Sequence, residues 1–280
     1  MTAPVDQQTQ AQPTASTAAM MAAYLAATAA LRSRLLAFTA VNFAGQGDYR
    51  DAAADAFVAA MVPLVQASQQ TMASLTSAYL AHLTSATAGG TTAPVGVPPE
   101  LLSNLRGVDP AQVYRRPYVQ VWTDLSKGKS LDTAVAAGNR RAQSIVATDL
   151  QMARTKAAQA VMQNDKRVTG YRRVLVGAHS CALCVLASTR WYSRGDLLPI
   201  HPGCDCAIAP LVGGAQPDEI PAAELHAVVS RDLGAQYVKA SGAGPVDYRE
   251  IMVTHEHGEI GPVLGVRGQN FLGPADISGR

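Results

Sequence analysis

Aromatic residues, charge and cysteine are all scarce in this chain. Phe, Trp and Tyr make up 5% of its 280 residues, and Asp, Glu, Lys and Arg 16%. So few aromatics count against an aromatic-rich β-sandwich core. No uninterrupted apolar stretch reaches the roughly 20 residues needed to span a bilayer, so no membrane partner is expected. The first residues carry no basic segment of the kind that opens a secretory signal. Residues 1–17 are rich in Gln, Thr, Pro and Ala and read as a disordered tail, with the cytosol as the expected place of folding.

What is abundant is alanine, which supplies much of the 48% hydrophobic content and favours helices with small side chains at their contacts. Met20, Tyr24, Thr28, Leu31, Leu35 and Phe38 recur at spacings of three and four, predicting a helix over about 18–44. Its one polar member, Thr28, can bond back to a carbonyl one turn earlier. Gly45 and Gly47 end the stripe, and Asp48 is placed to cap a second helix. Phe57, Met61, Leu64, Met72, Leu75, Tyr79 and Leu83 carry that helix to about residue 86, with a kink expected at Pro63. Residues 18–86 therefore read as a helical hairpin. The Gly/Pro/Thr-rich stretch that follows makes 87–108 a linker, expected to separate the hairpin from the rest.

Asp109 before Pro110 supplies an N-cap followed by proline at the first helical position, and Pro117 is expected to split the helix that follows. Ser130 caps a long helix reaching about Asn164. Residues 172–176 and 207–211 are strand candidates, and 221–233 look helical. Residues 249–255 and 262–266 read as a terminal β-hairpin. The expected class is α+β, mainly α. A domain over 109–212 carries a Cys/His cluster, and 213–280 form a C-terminal α/β extension.

Net charge is only +2, but it is unevenly spread. Residues 105–194 hold fifteen Lys/Arg against five Asp/Glu, while both flanks are net acidic. Arg140, Arg141, Arg154, Lys166, Arg167, Arg172 and Arg173 are candidate contacts for double-stranded DNA, bound without sequence preference. Solvated helix faces explain the same charges equally well.

The four cysteines, Cys181, Cys184, Cys204 and Cys206, all lie within 26 positions. Clustering of this kind in a cytosolic chain points to a metal or a functional thiol set rather than a disulfide framework. Cys181-Ala-Leu-Cys184 places two thiols on one side of a tight loop, and His201-Pro-Gly-Cys204-Asp-Cys206 supplies a second loop. Cys181, Cys184, Cys206 and one of His201 or Cys204 could close a tetrahedron around zinc, a structural site because it has no open position. His179 is an outlying sixth donor. Reduced packing thiols and disulfides formed outside the cytosol stay open as alternatives.

Weaker patterns fall away. Gly128-Lys129-Ser130 has the ending of a phosphate-binding loop, but Thr123 stands where its first glycine belongs. His255 and His257 would share one face of a strand, an arrangement a solvated hairpin end explains as well as a metal pair. His179, Ser180 and Cys181 are neighbours in sequence without the strand-to-helix elbow of a nucleophile.

The order of these features resembles a known family. A long helix containing Ala153-Arg154-Thr155 leads to a strand near Val174. Then come Cys-x-x-Cys, Trp191 or Tyr192, His201-Pro202-Gly203-Cys204-Asp205-Cys206 and Pro210. This is similar to the MuF-like, or phage head morphogenesis, domain over about 130–212. The segment from His257-Gly258-Glu259 through Gly268 and Phe271 resembles the tail of such proteins from phages of actinobacteria. Two positions depart from the family: Ala178-His179 replaces a frequent acidic residue, and Asp205 replaces the usual arginine between the last two cysteines. No basic contact is therefore carried over there. The resemblance implies a minor capsid protein in the virion interior near the portal, assembled in the host cytoplasm. Portal protein, capsid components and DNA would be its partners. The competing readings are a capsid maturation protease, for which no catalytic residues stand out, and a zinc-binding nucleic-acid module.

Overall fold

The structure, a computed structural model, describes residues 15–175, 182–195, 200, 206–212, 225, 227–229 and 251–267. It is an α+β fold, mainly α, with two small antiparallel sheets toward the C-terminal end. Helices α1 (Ala15–Ala44), α2 (Asp51–Ala88), α4 (Pro110–Ser126) and α5 (Leu131–Asn164) pack into one body, with the short α3 (Pro99–Ser103) against α2. Strands β2 (Trp191–Ser193), β1 (Val168–Val174) and β3 (Ala207–Val212) lie side by side in that order, beside α6 (Ala182–Ser188). A separate hairpin joins β4 (Met252–His257) to β5 (Gly261–Val266).

α1 and α2 form the expected antiparallel hairpin. Tyr24 stacks on Tyr79 near one end, ring centroids 4.2 Å apart, and Phe43 meets Phe57 edge-on at 5.4 Å near the other. Thr28 Oγ1 donates back to the Tyr24 carbonyl at 3.0 Å, so the polar member of the stripe is satisfied within its helix. The stripe itself drifts: Phe38 is exposed, and Thr39 and Phe43 take the inward places. After Leu35 the inward face continues by steps of four, to Thr39 and Phe43, instead of the step of three that leads to Phe38.

Several expectations need correction. α1 already includes residues 15–17, expected in the tail, while 1–14 lie outside the described residues. Asp48 does not cap α2. Its Oδ1 accepts from Arg50 N at 3.1 Å in a local turn, and α2 starts at Asp51 without a side-chain cap. Pro117 does not split α4, which runs unbroken from Pro110 to Ser126. Proline there removes one backbone donor, but α4 is clamped between α2 and α5 with Pro117 buried, and packing overrides the local cost.

The segment expected as a linker is tied down along α2. Ser77 Oγ donates to the Val95 carbonyl and accepts from Val95 N, Ser85 Oγ accepts from Thr92 N, and Gln70 Nε2 donates to the Val97 carbonyl. Its low-complexity composition reflects an extended strap with its backbone groups satisfied by α2 side chains. The hairpin helices also share both apolar clusters with the rest of the chain, so the strap separates no independent unit.

Other local signals appear as expected. Asp109 accepts from Ala111 N ahead of Pro110, and Ser130 accepts from Thr133 N at the start of α5. Gly128, at φ +78°, makes the turn between α4 and α5, and Lys129 there pairs with Asp124 at 2.9 Å. The Gly-Lys-Ser sequence is thus a helix–helix connection. α4 and α5 approach closely because Gly138 has no Cβ. One built there would sit 2.6 Å from Val121 Cγ2 and 2.9 Å from the Pro117 carbonyl.

Candidate functional site

The long helix α5 delivers the chain into β1, the central strand of the three-stranded sheet. β1 pairs antiparallel with β2, placing Tyr171 opposite Tyr192, and with β3 through Val174 opposite Ala207. The two tyrosine rings stack at 4.9 Å, and the Tyr192 hydroxyl donates to the Ala187 carbonyl at 3.0 Å, fastening α6 to the sheet. Gly170 sits where a Cβ would fall 2.4 Å from the Tyr192 carbonyl oxygen, so glycine is what lets β2 lie this close.

Two of the five candidate zinc ligands fall on this scaffold. Cys184 lies on α6 and Cys206 immediately precedes β3. Both are buried, unbridged by disulfide, and members of one apolar cluster. Arg173, on β1 and only 3% exposed, donates from Nη1 to Cys206 Sγ at 3.2 Å while its guanidinium sits over the Tyr192 ring. Burial in apolar surroundings opposes a thiolate, whereas the guanidinium beside the sulfur favours one. Cys181, His201 and Cys204, with the outlying His179, lie outside the described residues. Among the described residues no group of three His, Cys, Asp or Glu could hold a metal ion.

The seven basic residues singled out for DNA do not share one face. Arg140 and Lys166 are exposed. Arg141 is paired with Glu259. Arg167 binds Asp165 through Nε and Nη2, at 3.0 and 2.6 Å, and reaches the Gly89 carbonyl, fastening the start of the strap. Those contacts hold the Asp165 carboxyl well below the usual carboxylate range. Arg172 is half-buried on β1, and Arg154 and Arg173 are 8% and 3% exposed. A guanidinium enclosed by protein cannot release counterions from a phosphate, so the buried pair drops out of a DNA surface. Arg154 instead lines a cleft of about 320 Å³ with Thr28, Arg32, Met72 and Gln151.

One polar cluster joins residues that no single sequence pattern connects. Arg106, Arg116 and Arg141 meet Asp149, Glu259 and His257 at the tip of the β4–β5 hairpin. These residues span more than 150 positions and follow no motif. Of the histidine pair, His257 is buried and its Nδ1 accepts from Glu259 N at 3.2 Å, while His255 is partly exposed. Burial first, then Arg106 and Arg141, lowers the His257 pKa below the ordinary imidazole value.

Searches against protein-family models, curated proteins and solved structures give no match to this chain. Among the described residues no helix is long and apolar enough to cross a membrane.

Proposed function

We propose that this chain is a minor capsid protein of a tailed bacteriophage, of the MuF-like kind, acting in head morphogenesis at or near the portal. The reading is carried by one observation, the order long helix, strand, Cys-x-x-Cys, His-Pro-Gly-Cys-Asp-Cys, strand over about 130–212. The geometry is compatible with it in a particular way. α5 feeds directly into β1, and the two described cysteines back onto the strands that frame this motif. In this reading portal protein and capsid components are the partners. DNA contact, where it occurs, falls to exposed residues such as Arg140 and Lys166 and weakens steeply with salt.

The cysteines in this reading hold a structural zinc. Cys181, Cys184, Cys206 and one of His201 or Cys204 are its ligands, and Arg173 donates a hydrogen bond to the Cys206 sulfur. Mass spectrometry of purified particles is expected to find this chain alongside portal and major capsid protein. Its absence from particles that contain both rejects the capsid reading. Elemental analysis of reduced protein is expected to give about one zinc per chain, lost in Cys181→Ser. Metal-free protein with four titratable thiols leaves the cysteines as packing residues.

A further inference from the structure

Three arginines from separate parts of the chain converge on one carboxylate. Arg106 follows α3, Arg116 is on α4 and Arg141 on α5, while Glu259 sits in the turn between β4 and β5. Arg141 Nη2 and Arg106 Nη1 both donate to Glu259, the latter at 3.2 Å. Arg116 Nη1 lies 3.2 Å from the same carboxylate, out of hydrogen-bond alignment. Arg106 is locked in place, donating to Asp149 from Nε at 2.6 Å and to the Ile145 carbonyl from Nη2. Asp149 also accepts from the Tyr114 hydroxyl at 2.6 Å, so its charge is already committed.

Three guanidiniums therefore face two carboxylates, one of them spent on positioning Arg106. His257 lines the same small cavity at 9% exposure, and its Nε2 is buried without a hydrogen-bond partner. Burial and the neighbouring Arg106 lower the pKa of Arg116 and Arg141, as expected of cations crowded together, yet guanidiniums stay charged at neutral pH. Planar donor forks arriving from three directions suit the several oxygens of a tetrahedral anion better than the two of a carboxylate. The space left beside Glu259 is about 10 Å³, room for one water at most, so a larger anion and Glu259 cannot share the socket.

We propose that Arg106, Arg116 and Arg141 form a binding site for a phosphate-class oxyanion, which Glu259 fills in cis as a carboxylate surrogate. The ligand gains the socket by displacing the β4–β5 turn. Apparent affinity of the natural chain is then the intrinsic affinity scaled down by the fraction of open sockets. The inference stands independently of the capsid reading.

The test titrates the full chain with inorganic phosphate, against chloride at matched ionic strength. Glu259→Ala is expected to bind phosphate about tenfold or more tightly than the natural chain, because the internal competitor is gone. Adding Arg141→Gln should abolish that gain. Phosphate should also raise the thermal midpoint of Glu259→Ala more than that of the natural chain, which keeps the test readable in a less stable variant. A short DNA duplex that displaces phosphate from Glu259→Ala identifies the oxyanion as a nucleic-acid backbone. A duplex that leaves phosphate in place identifies it as a free phosphate or phosphomonoester. Equal phosphate affinity in the natural chain and Glu259→Ala, or a gain that survives Arg141→Gln, overturns the proposal.

Discussion

The two apolar clusters of this protein are built on different principles. The helical one gathers Phe43, Tyr49, Phe57, Tyr118 and Trp122, in successive ring contacts of 5.1–6.3 Å, around the close approach of α4 to α5 at Gly138. Five of the chain's fifteen aromatic residues meet there, with Trp122 Nε1 donating to the Tyr49 carbonyl at 2.6 Å. The second cluster has no such focus. It joins Tyr24 and Tyr79 of the hairpin helices to Met162, the three-stranded sheet, α6 and the terminal hairpin through Leu264 and Val266. One is a concentrated core within a helical body. The other is mortar between pieces far apart in sequence, and it carries Cys184 and Cys206. Because α1 and α2 contribute to both, the clusters are mechanically linked even though they differ in make-up.

That linkage can be broken from the helical side with the largest effect. Phe43 is fully buried and touches three other rings, so Phe43→Ala should cost about 3–5 kcal/mol. The chain holds one tryptophan in each region: Trp122 on α4, and Trp191 on β2 with 59% exposure. Trp122→Phe and Trp191→Phe variants therefore report on the two regions separately. Urea unfolding of Phe43→Ala in each background is expected to show coincident midpoints, both lowered. Midpoints that separate, with only the Trp122 signal shifted, would show that the helical body and the sheet region unfold as independent units.

The two crowded glycines give a finer, intermediate comparison. A methyl at Gly170 meets the Tyr192 carbonyl oxygen at 2.4 Å, a backbone atom with nowhere to retreat unless β2 moves off β1. At Gly138 it meets Val121 Cγ2 at 2.6 Å and Phe43 Cζ at 2.8 Å, side chains with some freedom, as well as the Pro117 carbonyl. Gly170→Ala and Gly138→Ala should each cost on the order of 1–3 kcal/mol. Limited proteolysis should distinguish them, with Gly170→Ala opening cleavage at Arg190 and Arg194 and Gly138→Ala leaving those sites protected. Unchanged cleavage at both in Gly170→Ala would mean that β2 tolerates the displacement.

The same contrast explains what could be read from sequence. Helices announce themselves locally, through stripes such as Phe57, Met61, Tyr79 and Leu83 and caps such as Asp109 and Ser130. β3 and β5 are also legible as short apolar runs, and β4 by its place before the His257-Gly258-Glu259 turn. What was not legible depends on partners distant in sequence. Pro117 reads as a break because the packing that overrides it comes from α2 and α5. Residues 87–108 read as a linker because the groups that satisfy their backbone sit on α2. At the site level the cysteine spacing is a compact local signal, whereas the arginine socket draws on four segments and leaves none. Arg154 and Arg173 have the same composition signature as a surface cation, and only the fold buries them.

The smallest expected effect tests how the terminal hairpin sits on the helical body, and it runs through pH. His257 is held below the ordinary imidazole pKa, first by burial and then by Arg106, Arg141 and His255, with Glu259 facing it as the neighbouring anion. In the unfolded chain the same imidazole titrates near about 6.5. As pH falls through that value the unfolded state takes up a proton that the folded state resists, so stability declines until the folded-state pKa is also passed. Above both values His257 is neutral in either state and contributes nothing to pH dependence. His257→Asn keeps an acceptor for the Glu259 amide and removes the titration. Between pH 7 and pH 5 the natural chain should lose more thermal stability than His257→Asn, by less than either glycine substitution costs. Parallel losses in the two proteins would mean that the imidazole is hydrated in the folded state and the hairpin tip stands open to water.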